Sequence, residues 1–81
     1  MLIEVSNMNR NLIEADVRRL FTPYGEVASV QVIRDRHNNR PSGRAHVLMP
    51  VERQARAALV SLHGLLWAGK SIHLTEITDN G

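Results

Sequence analysis

Apolar and polar residues alternate in three short segments, 2–6, 44–49 and 71–77, and this alternation constrains the fold more than any other feature of the chain. Successive side chains of a β-strand point to opposite faces, so each segment would present one apolar and one largely polar face. The apolar faces would consist of Ile3, Val5, Ala45, Val47, Met49, Ile72 and Leu74. This pattern is typical of an antiparallel sheet that packs one face on a core and leaves the other face uncovered.

Two segments with helical spacing separate the strands. The first helix is predicted from Leu12 to Thr22, with a capping box of Asn11 and Glu14 at its start. Its apolar stripe would comprise Ile13, Val17, Leu20, Phe21 and Tyr24. The second helix is predicted to end before Gly64, and its apolar face would comprise Val51, Ala55, Ala58, Leu59 and Leu62.

The order of the predicted elements defines the fold class. Strands are expected at Leu2 to Ser6, Glu26 to Arg34, Arg44 to Met49 and Ser71 to Ile77, with turn-forming residues at 35–42. The order β-α-β-β-α-β predicts an α+β fold, the ferredoxin-like βαββαβ sandwich. In this fold a four-stranded antiparallel sheet carries two helices on one face.

Size and composition exclude several classes of protein. A chain of 81 residues forms one domain, residues 1–81, and fraying is expected only at Met1 and at residues 79–81. The absence of cysteine excludes a disulfide framework and a cysteine-ligated zinc site. The chain opens without a signal-peptide pattern, and no apolar run exceeds four residues. We therefore expect a cytoplasmic protein that does not enter a membrane.

Positive charge is concentrated in residues 34–44, called the basic segment below. Its net charge is +3, against +2 for the whole chain, because one acid, Asp35, accompanies four arginines, Arg34, Arg36, Arg40 and Arg44. Arginine outnumbers lysine nine to one in the chain, and guanidinium groups bind phosphate bidentately and stack on bases. The basic segment is either a solvated charged loop or a phosphate-binding loop.

Two of the strand segments carry recognisable motifs. Ser42-Gly43-Arg44-Ala45-His46-Val47-Leu48-Met49 and Ile3-Glu4-Val5-Ser6-Asn7-Met8 resemble the two ribonucleoprotein signatures of the RNA-recognition motif family. The frame of the longer signature is kept in Gly43, Ala45 and Val47. Residues 14–27 and 62–70 are similar to the first helix of that family and to its turn into the last strand. One domain of this extent resembles the small single-motif RNA-binding proteins of bacteria.

The resemblance implies base-stacking aromatic residues at three positions that hold other residues here. Glu4 occupies the stacking position of the short signature, and Arg44 and His46 occupy those of the long one, while Ser42 replaces its leading basic residue. Arg44 would stack on a base or hold a phosphate, or else form an ion pair with Glu4. His46 would stack on a base or remain an unpartnered surface histidine. Glu4 would accept hydrogen bonds from base amino groups or, as we favour, neutralise Arg44 and His46.

Further residues are expected on the same uncovered face. These candidate RNA contacts are Ser6, Gln31, Ile33, Leu48 and His73, together with Arg34, Arg36 and Arg40 of the basic segment. The aliphatic pair Ile33 and Leu48 would contact a base or a protein partner. His73 is expected close to Glu4, but two histidines and one glutamate make an incomplete ligand set, so we expect neither a metal nor another cofactor.

The sequence thus predicts a module that binds single-stranded RNA, or single-stranded DNA, through the uncovered sheet face and an arginine-rich loop between the second and third strands. Because the stacking aromatics are missing, we expect weak binding of low specificity by a monomer. The alternative is a protein–protein interaction module of the same fold with a degenerate RNA-binding face. An enzyme is not expected, because the phosphate loop of acylphosphatases, which share the fold class, and catalytic groupings such as Ser-His-Asp are absent.

Overall fold

A computed structural model describes residues 1–78, so the fraying predicted for 79–81 lies outside the described residues. The elements, in chain order, are β1 (Leu2–Ser6), α1 (Glu14–Phe21) with a 3-10 turn (Thr22–Tyr24), β2 (Ser29–Arg34), β3 (Pro41–Leu48), α2 (Glu52–Leu62), β4 (Leu66–Trp67), β5 (Lys70–Ser71) and β6 (His73–Ile77). Met1 is not frayed, because its carbonyl accepts a hydrogen bond of 2.9 Å from the Met49 amide.

Four of the strands form one sheet in the order β2-β3-β1-β6, and every neighbouring pair is antiparallel. Both signature strands, β1 and β3, therefore lie side by side in the middle. The register pairs Ile3 with Val47 and Glu4 with His46. The predicted α+β, ferredoxin-like arrangement is confirmed.

The core lies between the sheet and the two helices. Buried sheet residues include Ile3, Val5, Val32, Ala45, Val47 and Leu74, and the helices contribute Val17, Phe21, Ala55, Ala58 and Leu62. Small alanines on α2 allow this helix to pack closely on the sheet. One predicted stripe residue is wrong: Ile13 is 57% exposed, because the helix begins only at Glu14 and Ile13 has extended backbone angles.

The start of α1 differs from the predicted capping box of Asn11 and Glu14. Ile13 is the residue before the helix, and its amide donates a 3.0 Å hydrogen bond to the Asp16 carboxylate. Asp16 also pairs with Arg19 at 2.6 Å. The hydrogen bond from the Ile13 amide, and secondly the contacts with Arg19, hold the pKa of Asp16 below its usual 3.8.

The second strand begins three residues later than predicted, at Ser29. The backbone groups of the preceding residues are taken up by side chains from the helices. Gln54 accepts a 2.8 Å hydrogen bond from the Glu26 amide, and Arg18 donates one of 2.9 Å to the Val27 carbonyl. These bonds replace the pairing that a longer strand would need.

The predicted last strand divides into two elements. Ser71 belongs to a short hairpin, β4–β5, in which Leu66 pairs with Ser71 and Trp67 with Lys70. Only from His73 onward does the chain pair with β1. The two residues of the hairpin turn, Ala68 and Gly69, both have positive φ, of 50° and 85°, which is the geometry of a type I′ turn.

The third strand begins earlier than predicted, at Pro41, and contains an irregularity near Gly43. Arg44 pairs with Ile33, but the next pair is Pro41 with Arg34, so Ser42 and Gly43 bulge out of the ladder. Gly43 has a φ of 87°, and its carbonyl accepts a 2.9 Å hydrogen bond from the Met8 amide. A Cβ at Gly43 would lie 2.9 Å from the Met8 carbonyl oxygen. Glycine thus allows the loop after β1 to contact the start of β3 directly.

Replacing Asp16 should change how stability depends on pH. The lowered pKa means that the carboxylate stabilises the fold fully above about pH 4, and that this contribution is lost as the pH falls through the folded-state pKa. We expect D16N to lower the free energy of unfolding near neutral pH, with a difference from wild type that shrinks below pH 3.8. Denaturant unfolding over this pH range measures the difference. E14Q, in the same helical turn, is the control, and a pH-independent effect of D16N would contradict the assignment.

Gly43→Ala should destabilise the fold more than Gly64→Ala. Both glycines have left-handed φ, 87° and 83°, which costs a residue with a Cβ about 1–2 kcal/mol. A Cβ at Gly64 has no heavy atom within 4 Å, whereas one at Gly43 would displace the Met8 backbone. We expect G43A to lower the free energy of unfolding by about 1–3 kcal/mol more than G64A. Equal losses would show that the close approach of Met8 and Gly43 is not tight.

Candidate nucleic-acid interface

The sheet face opposite the helices, called the open face, carries the predicted contact residues in rows across the strands. One row runs through Gln31, His46, Glu4 and Thr75, which are consecutive partners in the register. A second row contains Ser29, Leu48, Leu2 and Ile77. Ile33 lies opposite Arg44, and Ser6 lies opposite His73. Predicted residues of both signatures and of the outer strands are therefore brought together on one surface.

Glu4 and His46 form a pair at the centre of the open face. The His46 Nε2 atom lies 3.2 Å from the Glu4 carboxylate, and each side chain keeps 29% of its surface exposed. Glu4 therefore contacts His46, and the alternative of an ion pair between Glu4 and Arg44 is not formed. Arg44 is exposed and has no ion pair within residues 1–78. Its guanidinium group is free to bind a ligand.

His73 does not lie beside Glu4, as the sequence suggested. The register places Thr75 opposite Glu4 and His73 opposite Ser6, one row further along the strands. The ring of His73 contacts His63 edge to face, with centroids 5.5 Å apart. His63 itself accepts a 3.0 Å hydrogen bond from the Leu74 amide. Within residues 1–78, no group of three histidine, aspartate or glutamate side chains is arranged to hold a metal ion.

One end of the open face is apolar. Leu2 pairs with both Leu48 and Ile77, so three aliphatic side chains lie in one row, and Leu48 is 38% exposed. Sequence reasoning selected Leu48 but missed Leu2, Thr75 and Ile77 as members of this face. The alternation along each strand was sufficient to find them, since each lies two residues from a selected residue or from another member of the face.

The arginines of the basic segment have different surroundings. Arg34 donates a hydrogen bond of 3.4 Å to the Asn39 carbonyl, within its own loop. Arg36 and Arg40 are exposed and have no ion pair among the described residues. The loop itself is held by hydrogen bonds of 2.8 Å, from the Asp35 amide to the Arg40 carbonyl, and 2.7 Å, from the His37 amide to the Asp35 carboxylate. The carboxylate of Asp35 thus supports the turn.

Two grooves flank the start of β3. The first, of about 400 Å³, lies between the β1–α1 loop (7–13) and the β2–β3 loop (35–40), where Arg10 and Arg40 line it together with Asp35. The second, also of about 400 Å³, adjoins the open face and is lined by Arg10, Arg44 and Lys70. The sequence analysis missed Arg10 and Lys70, because both lie outside the signatures and the basic segment.

Within residues 1–78, both helices fall short of the length and apolar character needed to cross a membrane.

Comparison with known proteins agrees with the fold and with the position of the signatures. Residues 3–73 match the family model described as RNA recognition motif. This match covers both signature strands and most of the chain. The chain belongs to the RNA recognition motif family.

Relatives and solved structures extend the comparison. The chain is 36% identical over 76 residues to RbpD of Nostoc sp., a protein named for RNA binding, and covers 94% of this chain and 81% of RbpD. It is 34% identical over 77 residues to the U11/U12 small nuclear ribonucleoprotein 31 kDa protein of Arabidopsis thaliana, where it covers 95% of this chain but spans only 30% of the relative. The crystal structure of RNA binding protein PG1 superposes with a TM-score of 0.92 at 33% identity, covering 100% of this chain and 98% of that one.

Proposed function

We propose that the chain binds single-stranded RNA across its open face, with phosphates held by arginines at the start of β3 and in the β2–β3 loop. One observation carries this proposal: an exposed Arg44 without an ion pair lies on an uncovered sheet face beside the Glu4–His46 pair. A planar guanidinium group and an imidazole ring both stack on bases that are splayed out from a single strand. Family membership and the names of the relatives support the same function.

Each residue of the central row has a specific role in this proposal. The His46 ring offers a stacking surface, and Glu4 holds that ring by its edge through the 3.2 Å contact. Gln31, next to His46 in the row, donates and accepts hydrogen bonds with base edges. Ile33 and Leu48 provide apolar contacts for bases at either side. Because Glu4 is occupied by His46, its negative charge is partly offset where the strand would pass.

Charge supplies most of the affinity in this account. The open face lacks the aromatic residues that contribute about 1–3 kcal/mol per stacked base in related binding sites. Arg40 and Arg44, with Arg36 at the tip of the loop, remain for phosphates, whereas Arg34 is partly engaged by the Asn39 carbonyl. Binding is therefore weak and of low specificity, and it depends strongly on salt.

Several narrower expectations stay predictions. Single-stranded DNA would occupy the same face with less affinity if the sugar hydroxyls are contacted. A monomeric state, a cytoplasmic location, a role for the whole domain 1–81 and the absence of catalysis follow from the sequence interpretation alone. A protein partner on the open face is the competing function, and the experiment below discriminates between the two.

Titration of a fluorescent mixed-sequence RNA oligomer, followed by anisotropy, tests the proposal. With about four phosphates engaged, log K should fall with log salt at a slope of about −2.8. R44A and H46A should each weaken binding by about 1 kcal/mol or more, because each removes a contact group from the open face. R53A, on the exposed side of α2, is the control and should bind like wild type. Absence of binding at low salt would favour a protein partner instead.

Restoring an aromatic residue at His46 should strengthen binding. H46F places a stacking ring at the position where the family signature has one, and we expect a gain of about 1–3 kcal/mol. The exposed position makes a large change in stability unlikely to arise, since exposed substitutions usually shift stability by about 0.5 kcal/mol or less. Anisotropy with the same oligomer measures the gain. A57F adds an equivalent ring to the exposed side of α2, and an equal gain there would contradict stacking at His46.

A further inference from the structure

The second groove at the end of the open face has a charge pattern that the proposed function does not yet use. Arg10, Arg44 and Lys70 line it from three separate parts of the fold, and Ser6, Ser42 and His73 supply neutral polar groups. No acidic residue lines it. Converging cations with no acid among them create a strong positive potential, which attracts anions. We call this feature the cationic groove.

The three cations are available to a ligand. Within residues 1–78, Arg10, Arg44 and Lys70 take part in no ion pair, whereas Arg19 and Arg56 are paired with carboxylates on the helices. All three residues are exposed. The cationic groove therefore holds three of the unpaired cations of the described chain at a single location.

The walls of the cationic groove are fixed by hydrogen bonds between segments that are distant in sequence. Asn7 donates a 2.8 Å hydrogen bond to the Ser71 carbonyl, and Asn9 donates one of 3.1 Å to the Ala68 carbonyl. These two bonds attach the β1–α1 loop, which carries Arg10, to the β4–β5 hairpin, which carries Lys70. The Met8–Gly43 hydrogen bond of 2.9 Å attaches the same loop to the start of β3.

The aliphatic part of Arg10 lies over Gly43. The Arg10 Cγ atom is 3.8 Å from the position that a Cβ of Gly43 would occupy, so the stem of this side chain passes close to the strand that carries Arg44. Arg10 also lines the first groove together with Arg40. It therefore stands between the cationic groove and the β2–β3 loop, and a ligand in either groove can reach it.

The cationic groove continues the open face without a break. Ser6, Arg44 and His73 line the groove and also belong to the outermost rows of the open face. A strand lying across Glu4 and His46 would pass these residues next. An extended polyanion fits such a track, because its charges recur along its length, and arginine binds each phosphate through two donors.

We propose that the cationic groove binds the RNA phosphate backbone beyond the nucleotides seated on the open face, with Arg10 and Lys70 as phosphate ligands. The proposal rests on the proposed function, because the groove receives the same strand that the open face binds. It assigns the route by which the strand leaves the sheet: over the β1–α1 loop, between Arg44 and the β4–β5 hairpin. Arg10 then links this route to the β2–β3 loop.

The test compares R10Q/K70Q with R53Q/R56Q. Both double variants remove two positive charges, but the second pair lies on α2, remote from the open face. Anisotropy is measured with a short oligomer of about three nucleotides, which fills only the open face, and with a long one of about nine. For the long oligomer, R10Q/K70Q should reduce affinity about 25-fold at 0.1 M salt and reduce the salt slope by about 1.4, since each phosphate contact contributes about 0.7. The short oligomer should lose much less.

The outcomes separate this proposal from the proposed function. If wild type binds the long oligomer and R10Q/K70Q loses no more affinity than R53Q/R56Q, the groove is wrong and the open face stands. If wild type binds neither oligomer at low salt, both are wrong. An oligoglutamate peptide is titrated in parallel, and loss of peptide binding without loss of RNA binding would assign the groove to acidic proteins and overturn the proposal. Thermal unfolding checks each variant, and the single changes R10Q and K70Q replace a double variant that does not fold.

Discussion

Two helices can bury only one face of a four-stranded sheet, and the properties of this molecule follow from that geometric constraint. The helices take the face that carries Ile3, Val5, Ala45 and Val47. The residues between them in the sequence are consequently turned to the open face. Because β1 and β3 are the central strands, the two signatures lie side by side, and Glu4 contacts His46 across the strand pair. The same constraint that builds a core in a small domain thus provides an uncovered surface for a ligand.

The surface is framed by loops that are attached to the sheet by a few specific contacts. The absence of a side chain at Gly43 lets the loop after β1 reach β3, and the amide groups of Asn7 and Asn9 connect that loop to the β4–β5 hairpin. These contacts bring Arg10 and Lys70 to one end of the open face. A ligand that binds there meets walls that are already in position, so little conformational entropy is lost on binding.

Much of the fold could be predicted from the sequence, because alternation in β1 and β3 and the apolar stripe of α2 report directly on burial. The errors occurred where side chains replace backbone pairing. Gln54 and Arg18 bind the backbone at Glu26 and Val27, which shortens β2, and Asp16 caps α1 in place of Asn11. No local pattern announces these contacts, since their partners are up to 28 residues apart.

The candidate site was predictable only where the signatures mark it. Glu4, Arg44 and His46 follow from motif positions, whereas Arg10 and Lys70 converge through tertiary contacts that no spacing in the sequence reveals. The position of His73 was predicted wrongly because the register of β6 against β1 sets it beside Ser6. Strand alternation gives the face of a residue, but only the register gives its neighbours.

Mapping amide chemical shifts by NMR during titration with single-stranded RNA tests the central claim most directly. The account predicts that the largest shift changes occur in β1 and β3, around Glu4, Arg44 and His46, and extend to the loop that carries Arg10. The exposed side of α2, at Arg53 and Val60, should remain unchanged. Shift changes concentrated on α2, with the open face unaffected, would contradict the account.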